Sequence, residues 1–360
     1  MSIRWGIIGC GDVCEVKSGP AFYKARGSEL KSVMRRDAAK AADFARRHQV
    51  ARSTADAQAL IDDPEVDAVY VATPPGYHLE YALRVAAAGK PCYMEKPMAR
   101  NAAECREMVD AFARAGQPLF VAYYRRALPR FLKVKELLAS GRLGPLLAVS
   151  HVYQGRVQAG GAALPPFPAS GWRESVSESG GGLFLDLGSH VLDLLDFLLG
   201  PLSRVAGCAA RRSAAPANQR ELPEDTVVMS FASDSGVLGT ARYQFHTSAQ
   251  VDRLEFVGAL GTLSLSVFGR EPLELRVADQ PERIDTEHPE HVHQPLVQSI
   301  VDELSGLGGH SVSTGRSAQR ASEVMDRVLD DYYGGRQDAF WLRPETWPGA
   351  LLRADARRRE

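Results

Sequence analysis

The sequence has almost no excess of charge of either sign. Its 360 residues include 43 Lys and Arg against 44 Asp and Glu, a net charge of −1. Proteins that bind nucleic acids or anionic membrane surfaces usually carry an excess of basic residues, so this balance argues against both classes of partner. Hydrophobic residues make up 45% and charged residues 24% of the chain, as in globular proteins and unlike disordered chains.

Long apolar runs and paired cysteines are also missing. The most apolar stretch, residues 183–200, contains three aspartates and a histidine and does not predict a membrane span. The apolar run that ends at Gly9 is too short for the core of a signal peptide. The five cysteines are scattered, without a CxxC pair or zinc-ligand spacing, which predicts reduced thiols in a cytoplasmic protein.

Short apolar runs alternate with helical patterns over residues 1–122. The patterns predict strands at Arg4–Ile8, Leu30–Met34, Ala68–Ala72, Pro91–Met94 and Leu119–Ala122, with a weaker one near Val50, and helices at Ala38–Arg47, Tyr77–Ala88 and Ala102–Ala115. Alternation of near-continuous apolar strands with helices predicts a parallel sheet covered on both faces. The first domain is therefore predicted to be α/β, with a doubly wound, Rossmann-like parallel sheet over 1–122.

The pattern changes after Arg125. A helix predicted at Pro129–Ala139 is followed by a Gly-, Ala- and Pro-rich loop at 155–171, a helix at Leu183–Leu199, and then strands without intervening helices. These strands, separated by turns at 233–236 and 258–261, predict an antiparallel meander. We expect an α+β domain over 123–333 with a large, mostly antiparallel open sheet, and a C-terminal tail over 334–360.

A glycine-rich turn follows the first predicted strand. In Gly9-Cys10-Gly11-Asp12-Val13-Cys14, Gly9 suits a tight turn and Gly11 lets the backbone approach a pyrophosphate at a helix N-terminus. The third position of this motif normally holds Gly or Ala, so Cys14 makes the match incomplete. We expect the five residues 9–13 to contact a dinucleotide; the alternative is a turn without a ligand.

The end of the second strand indicates which dinucleotide. NAD sites place an acid there for the ribose 2′-hydroxyl, whereas NADP sites place an arginine near the 2′-phosphate. This strand ends in Arg35-Arg36, and Asp37 is better explained as the N-cap of the helix that starts at Ala38. NADP(H) is therefore the predicted cofactor, with NAD(H) the alternative if both arginines are ordinary surface residues.

Further motifs together resemble one enzyme family. Ala72-Thr73-Pro74-Pro75 precedes His78, Glu95-Lys96-Pro97 follows the fifth strand, and Gly180 to His190 has the pattern GGGxxxDxGxH. Asp186 and His190 are spaced i, i+4, on one helical face. This ordered set resembles the Gfo/Idh/MocA family, which includes glucose–fructose oxidoreductase and inositol dehydrogenase.

The resemblance implies roles for these residues. It places Lys96 near the nicotinamide and the reacting oxygen, makes His190 a proton donor or acceptor, and pairs it with Asp186. Thr73, Pro74, His78 and Glu95 join Lys96 among the expected cofactor contacts. A histidine with a near-neutral pKa and a cationic lysine suit proton exchange and stabilisation of an alkoxide. Which of Lys96 and His190 exchanges the proton directly is left open.

Substrate contacts are predicted less specifically. Tyr124 stands where many relatives have an asparagine in a GxNxRxxP-like segment, and Trp172-Arg173 resembles an element of sugar-handling members. Arg173 could bind hydroxyls, while Trp172 could stack on a sugar; packing and surface exposure are the alternatives. Tyr153 and Tyr243 are read as sheet residues. His288, His291 and His293 are read as a loop, and no metal site is predicted.

These observations predict an NADP(H)-preferring oxidoreductase of a sugar, polyol, cyclitol or related small substrate. Two alternatives are a dihydrodiol- or tetrapyrrole-type reductase of the same fold and a non-catalytic NAD(P)-sensing regulatory protein. The expected partner is a small-molecule substrate, with neither nucleic acid nor membrane. The resemblance also implies a homodimer or homotetramer formed through the open sheet.

Overall fold

A computed structural model describes residues 2–156, 171–213 and 221–350. The chain divides into two compact units. Unit 1 comprises the chain up to Ala99 together with Ala103–Phe131 and His288–Gln319. Unit 2 comprises Arg100–Ala102, Leu132–Glu287 and the chain from Arg320 onward.

This division differs from the predicted single segments 1–122 and 123–333, because the chain returns to unit 1 after His288. The returning segment buries an apolar helix face in the core of unit 1, contributed by Leu296, Val297, Ile300 and Val301. Burial of four large aliphatic side chains keeps the segment with the first unit.

The strands and helices have the following bounds. The strands are β1 (Ile3–Ile8), β2 (Ser28–Met34), β3 (Arg52–Thr54), β4 (Ala68–Val71), β5 (Cys92–Met94), β6 (Leu119–Val121), β7 (Leu146–Arg156), β8 (Leu202–Ala210), β9 (Thr226–Ser233), β10 (Leu238–Thr247), β11 (Val251–Gly258), β12 (Gly261–Leu265), β13 (Leu273–Val277) and β14 (Gln280–Ile284). The α-helices are α1 (Asp12–Val16), α2 (Ala21–Lys24), α3 (Ala38–Arg47), α4 (Ala57–Ile61), α5 (His78–Ala87), α6 (Ala102–Ala115), α7 (Pro129–Ala139), α8 (Val176–Ser179), α9 (Ser189–Leu199), α10 (Gln294–Leu304) and α11 (Gly315–Tyr333).

Unit 1 contains the predicted doubly wound sheet. Its six strands have the order β3-β2-β1-β4-β5-β6, and all their pairings are parallel. The α/β prediction is confirmed. The direction of winding reverses between β1 and β4, and ligands bind at the carboxyl ends of the strands beside such a switch point.

Unit 2 contains the predicted large, mostly antiparallel sheet, with one difference in topology. Its eight strands have the order β14-β13-β12-β11-β7-β10-β9-β8. The predicted turn at 233–236 joins β9 to β10, but β7 lies between β10 and β11 and runs parallel to β10. Strands β8–β10 form one antiparallel group, and strands β11–β14 form another. The eleven-residue β7 pairs with β10 at the edge of the first group and with β11 at the edge of the second.

The tail beyond α11 packs within unit 2 as far as Ala350. Phe340 and Trp347 are fully buried, and their rings lie 4.9 Å and 4.8 Å from the ring of Tyr333. The predicted loop at 155–171 lies mostly outside the described residues, and its first two residues belong to β7. Residues 351–360 of the tail also lie outside the described part.

Within residues 2–156, 171–213 and 221–350, no helix is long and apolar enough to cross a membrane. All five cysteines lie in these ranges and form no disulfide bond there, and Cys208 is the exposed one.

Candidate active site

The glycine-rich turn connects β1 to α1 in unit 1. The amides of Gly9 and Cys10 both donate to the carbonyl of Met34, at the end of β2. Gly9 has a φ of +87°, and a Cβ there would lie 2.9 Å from Cγ2 of Thr73. A Cβ on Gly11 would meet only the Gly9 carbonyl oxygen, at 3.9 Å. The space beside Gly11 is therefore open to a ligand that approaches the backbone, as the sequence predicts.

Cys14 occupies the motif's third position. Its side chain is fully buried, with Sγ 4.0 Å from the Gly9 carbonyl oxygen and 3.7 Å from Oγ of Ser18. Burial raises the pKa of this thiol, so it stays neutral. A small neutral thiol packs beneath the turn, while Asp12 is exposed and Val13 is half-buried in α1.

Two arginines follow β2, next to this turn. Nη1 of Arg35 donates to the Cys10 carbonyl at 3.4 Å, and the Arg36 guanidinium lies 5.2 Å from the centre of the Tyr77 ring. Oδ1 of Asp37 accepts from the Lys40 amide at 3.1 Å, so the predicted N-cap of α3 is confirmed. Asp37, the acidic residue of this segment, therefore caps α3.

Thr73 and His78 lie after β4. The Oγ1 atom of Thr73 is buried and has no hydrogen-bond partner among the described residues, as expected of a group that would bond to a bound molecule. Pro74 precedes a 3₁₀ turn at Pro75–Tyr77. The Thr73 carbonyl accepts from Nε2 of His78 at 2.7 Å, and Nδ1 of His78 lies 3.1 Å from the Met98 carbonyl oxygen.

His78 itself is fully buried, and burial lowers its pKa to about 4. A neutral imidazole has one N–H and can donate to only one of the two carbonyls that it faces. The structure therefore places His78 as a support for the Thr73 loop; a direct contact between His78 and the cofactor stays a prediction.

Glu95 and Lys96 follow β5, and the Lys96–Pro97 peptide is cis. Glu95 is buried; its Oε1 accepts from the Tyr70 hydroxyl at 2.5 Å and its Oε2 accepts from the Lys96 amide at 3.0 Å. Nε2 of His293 lies 3.7 Å from Oε1 of Glu95. The carboxylate is thus enclosed in the protein interior and ties down the main chain of Lys96.

The segment that carries His288, His291 and His293 is a loop before α10, as predicted, but the sequence had assigned no role to His293. Its ring lies 4.6 Å from that of Tyr124, the residue that replaces the usual asparagine, and the Arg125 guanidinium lies 5.1 Å from the Tyr124 ring centre. The neighbouring His291 is also buried, with Nδ1 2.7 Å from the Val16 carbonyl oxygen. Among the residues described, no three His, Cys, Asp or Glu side chains are placed to hold a metal ion.

In unit 2, the predicted helix at Leu183–Leu199 begins with a wide turn. Residues Phe184–Gly188 form a turn of π-helix, and α9 starts at Ser189. The pair Asp186 and His190 therefore spans the junction between the two helical forms. His190 is buried, and its ring lies edge-on to Phe268 at 6.3 Å. Turns of this kind are frequent at functional sites.

Trp172 and Arg173 form a 3₁₀ turn with Glu174, and Arg173 contacts both Trp172 and Asp186. Nε of Arg173 donates to Oδ2 of Asp186 at 3.3 Å, and the guanidinium lies 4.4 Å from the Trp172 ring centre. The Arg173 side chain is 30% exposed and that of Asp186 12%. Three predicted site residues thus form one polar and aromatic group.

Tyr153 and Tyr243 face each other on β7 and β10 and are buried, as sheet residues should be. Burial raises the pKa of Tyr153, and the negative charges of Asp252 and Asp186 raise it further. The Tyr153 hydroxyl therefore lies within the electrostatic influence of Asp186 and stays protonated.

Two buried charged residues hold the glycine triplet before Asp186, and no sequence motif had pointed to them. Gly180 has a φ of +84°, and its carbonyl accepts from Nη1 of Arg336 at 2.7 Å. The Gly182 amide lies 3.1 Å from both carboxylate oxygens of Glu224, which also accepts a hydrogen bond from Tyr333. Burial raises the pKa of Glu224.

Arg336 is fully buried and also donates to Oδ1 of Asp326 at 2.8 Å and to the Arg100 carbonyl at 2.8 Å. The tail that carries Arg336 thereby supports the segment leading to Asp186. An arginine within an aromatic-rich tail was the only sequence signal for this contact.

Family models match most of the chain. The model described as "Oxidoreductase family, NAD-binding Rossmann fold" matches residues 3–123, and the one described as "GFO/IDH/MocA C-terminal domain" matches residues 131–264. The sequence is similar to Oxidoreductase P35 of Formosa agariphila, with 36% identity over 324 residues, covering 90% of this chain and 97% of the relative. It is 32% identical over 267 residues to inositol 2-dehydrogenase 2 of Saccharopolyspora erythraea, covering 74% of each chain.

A solved structure shows the same fold. It is a levoglucosan dehydrogenase in complex with NADH and levoglucosan, which matches with a TM-score of 0.76 over 92% of this chain and 97% of that chain. The sequence identity is 24%, so this likeness bears on the fold alone.

Proposed function

Because the chain belongs to the Gfo/Idh/MocA family and is an NAD-binding oxidoreductase, we propose that it prefers NADP(H) and acts on a sugar, polyol or cyclitol. The observation that carries the substrate proposal is the group formed by Trp172, Arg173 and Asp186 in unit 2. A guanidinium offers several donors, a carboxylate offers acceptors, and an indole ring packs on the apolar face of a sugar ring. This combination suits a small molecule rich in hydroxyls, as does the similarity to an inositol 2-dehydrogenase.

The residues around the glycine-rich turn fit a dinucleotide. The space beside Gly11 would receive it, together with Oγ1 of Thr73, which has no hydrogen-bond partner within the described part of the chain. The turn at residues 9–13 would hold its phosphates. Support for NADP(H) comes from Arg35 and Arg36, whose planar cations suit a 2′-phosphate, and from the use of Asp37 as a helix cap. When bound, the nicotinamide accepts or supplies the hydride.

The protein side chains handle the proton and the charge on the reacting oxygen. Oxidation of a carbinol carbon requires removal of the hydroxyl proton, and reduction of a carbonyl requires its supply. We assign the proton exchange to the imidazole of His190 and the stabilisation of negative charge on the oxygen to Nζ of Lys96. Asp186, with Arg173, orients the substrate hydroxyls.

We also propose a homo-oligomer formed through the outward face of the sheet in unit 2. Alternation along β9 and β10 leaves Val228 46% and Leu238 61% exposed on that sheet. Apolar side chains on an exposed sheet face favour pairing with another surface. Sedimentation that gives only the 39.2 kDa chain would contradict this part of the proposal.

A thermal-shift titration with NAD⁺, NADH, NADP⁺ and NADPH tests the cofactor, and a substrate panel with the preferred one tests the reaction. We expect NADP(H) to stabilise the protein more than NAD(H), and turnover with polyols or sugars rather than aromatic dihydrodiols.

Arg35→Ala should weaken NADP⁺ binding by about 10-fold or more, because a charge-assisted hydrogen bond is lost, and leave NAD⁺ binding unchanged. Arg46→Ala, on the exposed side of α3, is the matched control. Greater stabilisation by NAD(H) would overturn the NADP(H) preference.

A further inference from the structure

His293 is a buried polar residue that the proposed reaction does not use. It precedes α10 in the segment that returns to unit 1, and its amide donates to the Lys17 carbonyl at 3.3 Å. Its side chain is only 1% exposed. A buried imidazole needs hydrogen-bond partners, so its contacts indicate what it does.

The imidazole lies between Tyr93, on β5, and Glu95, just after the end of β5. Nδ1 is 3.0 Å from the Tyr93 hydroxyl, and Nε2 is 3.7 Å from Oε1 of Glu95. The Tyr124 ring covers the imidazole at 4.6 Å, with 34° between the two planes. The contact with Glu95 is longer than a hydrogen bond and therefore acts through the N–H dipole and the carboxylate charge.

The ring is neutral at physiological pH. Burial lowers its pKa to about 3, and the positive charges of Lys17, Lys96 and Arg125 act in the same direction. A neutral imidazole has one N–H. Burial raises the pKa of Tyr93 well above its ordinary value, so the phenol stays protonated and can donate to Nδ1. The imidazole proton then lies on Nε2, facing the carboxylate; the other tautomer would point a lone pair at a negative charge.

Glu95 connects His293 to the main chain of Lys96. Its two carboxylate oxygens accept from the Tyr70 hydroxyl and from the Lys96 amide. Oε1 is therefore approached by both the Tyr70 hydroxyl and Nε2 of His293, while Oε2 holds the Lys96 amide. Rotation of the Glu95 side chain would break the bond that holds the Lys96 peptide.

We propose that His293 is a positioning residue for Lys96, which keeps the Glu95 carboxylate oriented through a neutral Nε2–H group. The inference rests on the proposed function, in which Lys96 stabilises the charge on the reacting oxygen. A cation at position 293 would add positive charge near Lys96, and an apolar group would leave the Tyr93 hydroxyl without its acceptor.

Steady-state kinetics of His293→Phe and His293→Gln test the proposal. Phenylalanine keeps a ring against Tyr124 but has no polar atoms, so kcat should fall about 10- to 100-fold while KM values stay within about twofold. Glutamine can accept from Tyr93 and donate to Glu95, so it should restore most of kcat. The matched control is His291→Phe, a buried histidine of the same segment that contacts Val16 and Lys24, which should lower thermal stability without lowering kcat. An unchanged kcat in His293→Phe, or no rescue by glutamine, would overturn the proposal.

A spectroscopic measurement on the cofactor-free protein gives an independent readout. In ¹⁵N NMR of histidine-labelled protein, His293 should stay a neutral Nε2–H tautomer between about pH 5 and 8, and Tyr93→Phe should change the tautomer ratio. An Nδ1–H tautomer, or titration in that range, would contradict the inference. Failure of the proposed function would instead show as wild-type protein without turnover on any panel substrate.

Discussion

The two units of the molecule position their site residues by different means. In unit 1, the candidate cofactor residues stand in four short segments that follow parallel strands: the turn at Gly9, Arg35-Arg36, the loop at Thr73, and Glu95-Lys96. In unit 2, Asp186 and His190 lie on a helical segment whose preceding glycines are held by Glu224 and Arg336. Those two supports are distant in sequence from the residues that they hold.

The difference follows from the two kinds of sheet. Parallel strands end at one common edge, so a residue that follows a strand reaches the ligand-binding edge without long-range help. A mostly antiparallel sheet has no such common edge, and a helix packed on it needs separate contacts to fix its position. Substitution of a residue that faces the ligand in unit 1 should therefore act on ligand binding, whereas substitution of a distant support in unit 2 should act through stability.

The largest effect is expected for the two residues assigned to the chemistry, one in each unit. Lys96→Ala and His190→Ala should each lower kcat by about 10²- to 10⁴-fold, because proton exchange or charge stabilisation at the oxygen is lost. Nucleotide affinity, measured by fluorescence titration, should be kept. His310→Ala, whose side chain is 95% exposed, is the control and should leave kcat unchanged. Full turnover in either catalytic variant would remove that residue from the mechanism.

The next effect tests the long-range support in unit 2. Arg336→Met removes a fully buried guanidinium together with the hydrogen bonds that it donates to Oδ1 of Asp326 and to the Gly180 carbonyl. The free energy of unfolding, measured by urea denaturation, should fall by about 3–5 kcal/mol.

Arg343 is the matched control, because it lies in the same tail but at the surface. Its two Nη atoms each donate a hydrogen bond to the Asp338 carboxylate. Its side chain is 35% exposed and that of Asp338 60%, so Arg343→Met should cost less than about 1 kcal/mol. Equal losses in the two variants would show that the buried contacts of Arg336 are not what holds this part of unit 2.

The smallest effects are expected for alanine substitutions of two glycines in the turn of unit 1, one of which should affect stability and the other nucleotide binding. Gly9→Ala places a side chain at a φ of +87° and against Thr73, and should destabilise the fold by about 1–3 kcal/mol. Gly11 has a φ of −100°, which alanine adopts freely, and an open space around its Cβ position. Gly11→Ala should therefore keep the melting temperature and weaken nucleotide binding.

Paired thermal melts and nucleotide titrations measure both quantities for the two variants. Unaltered nucleotide affinity in Gly11→Ala would contradict the assignment of the turn to the dinucleotide. A large loss of stability in the same variant would contradict the view that this turn acts locally.

Features with local causes were predictable from the sequence. The helices at Ala38–Arg47, Ala102–Ala115 and Pro129–Ala139 have the predicted bounds, because their apolar periodicity and end residues lie within the helix or next to it. The cap by Asp37 was predictable for the same reason. Trp172, Arg173 and Asp186 were named as candidate site residues from local motifs, and their assignment to a substrate stays a prediction. The contacts of Arg173 with the other two are seen only in the fold.

Features with distant causes were not predictable. The position of β7 between β10 and β11 depends on which edges two hairpin groups leave unpaired. The wide turn before α9 contains no proline, and the close approach of Phe184 to Gly188, where a Cβ would overlap Cδ2 of Phe184, is seen only in the fold. His293 was missed because its partners, Tyr93 and Glu95, lie about two hundred residues earlier in the chain.

The sequence by itself determined a nearly neutral α/β chain with a dinucleotide turn after its first strand, and an ordered set of motifs typical of one oxidoreductase family. Such information is local, because a turn, a cap or an amphipathic helix is specified by residues that are neighbours in the chain. Only the tertiary structure showed that Arg336 holds the glycine triplet and that His293 faces Glu95. Buried polar groups must find partners wherever the fold brings them, and that choice depends on packing rather than on sequence distance.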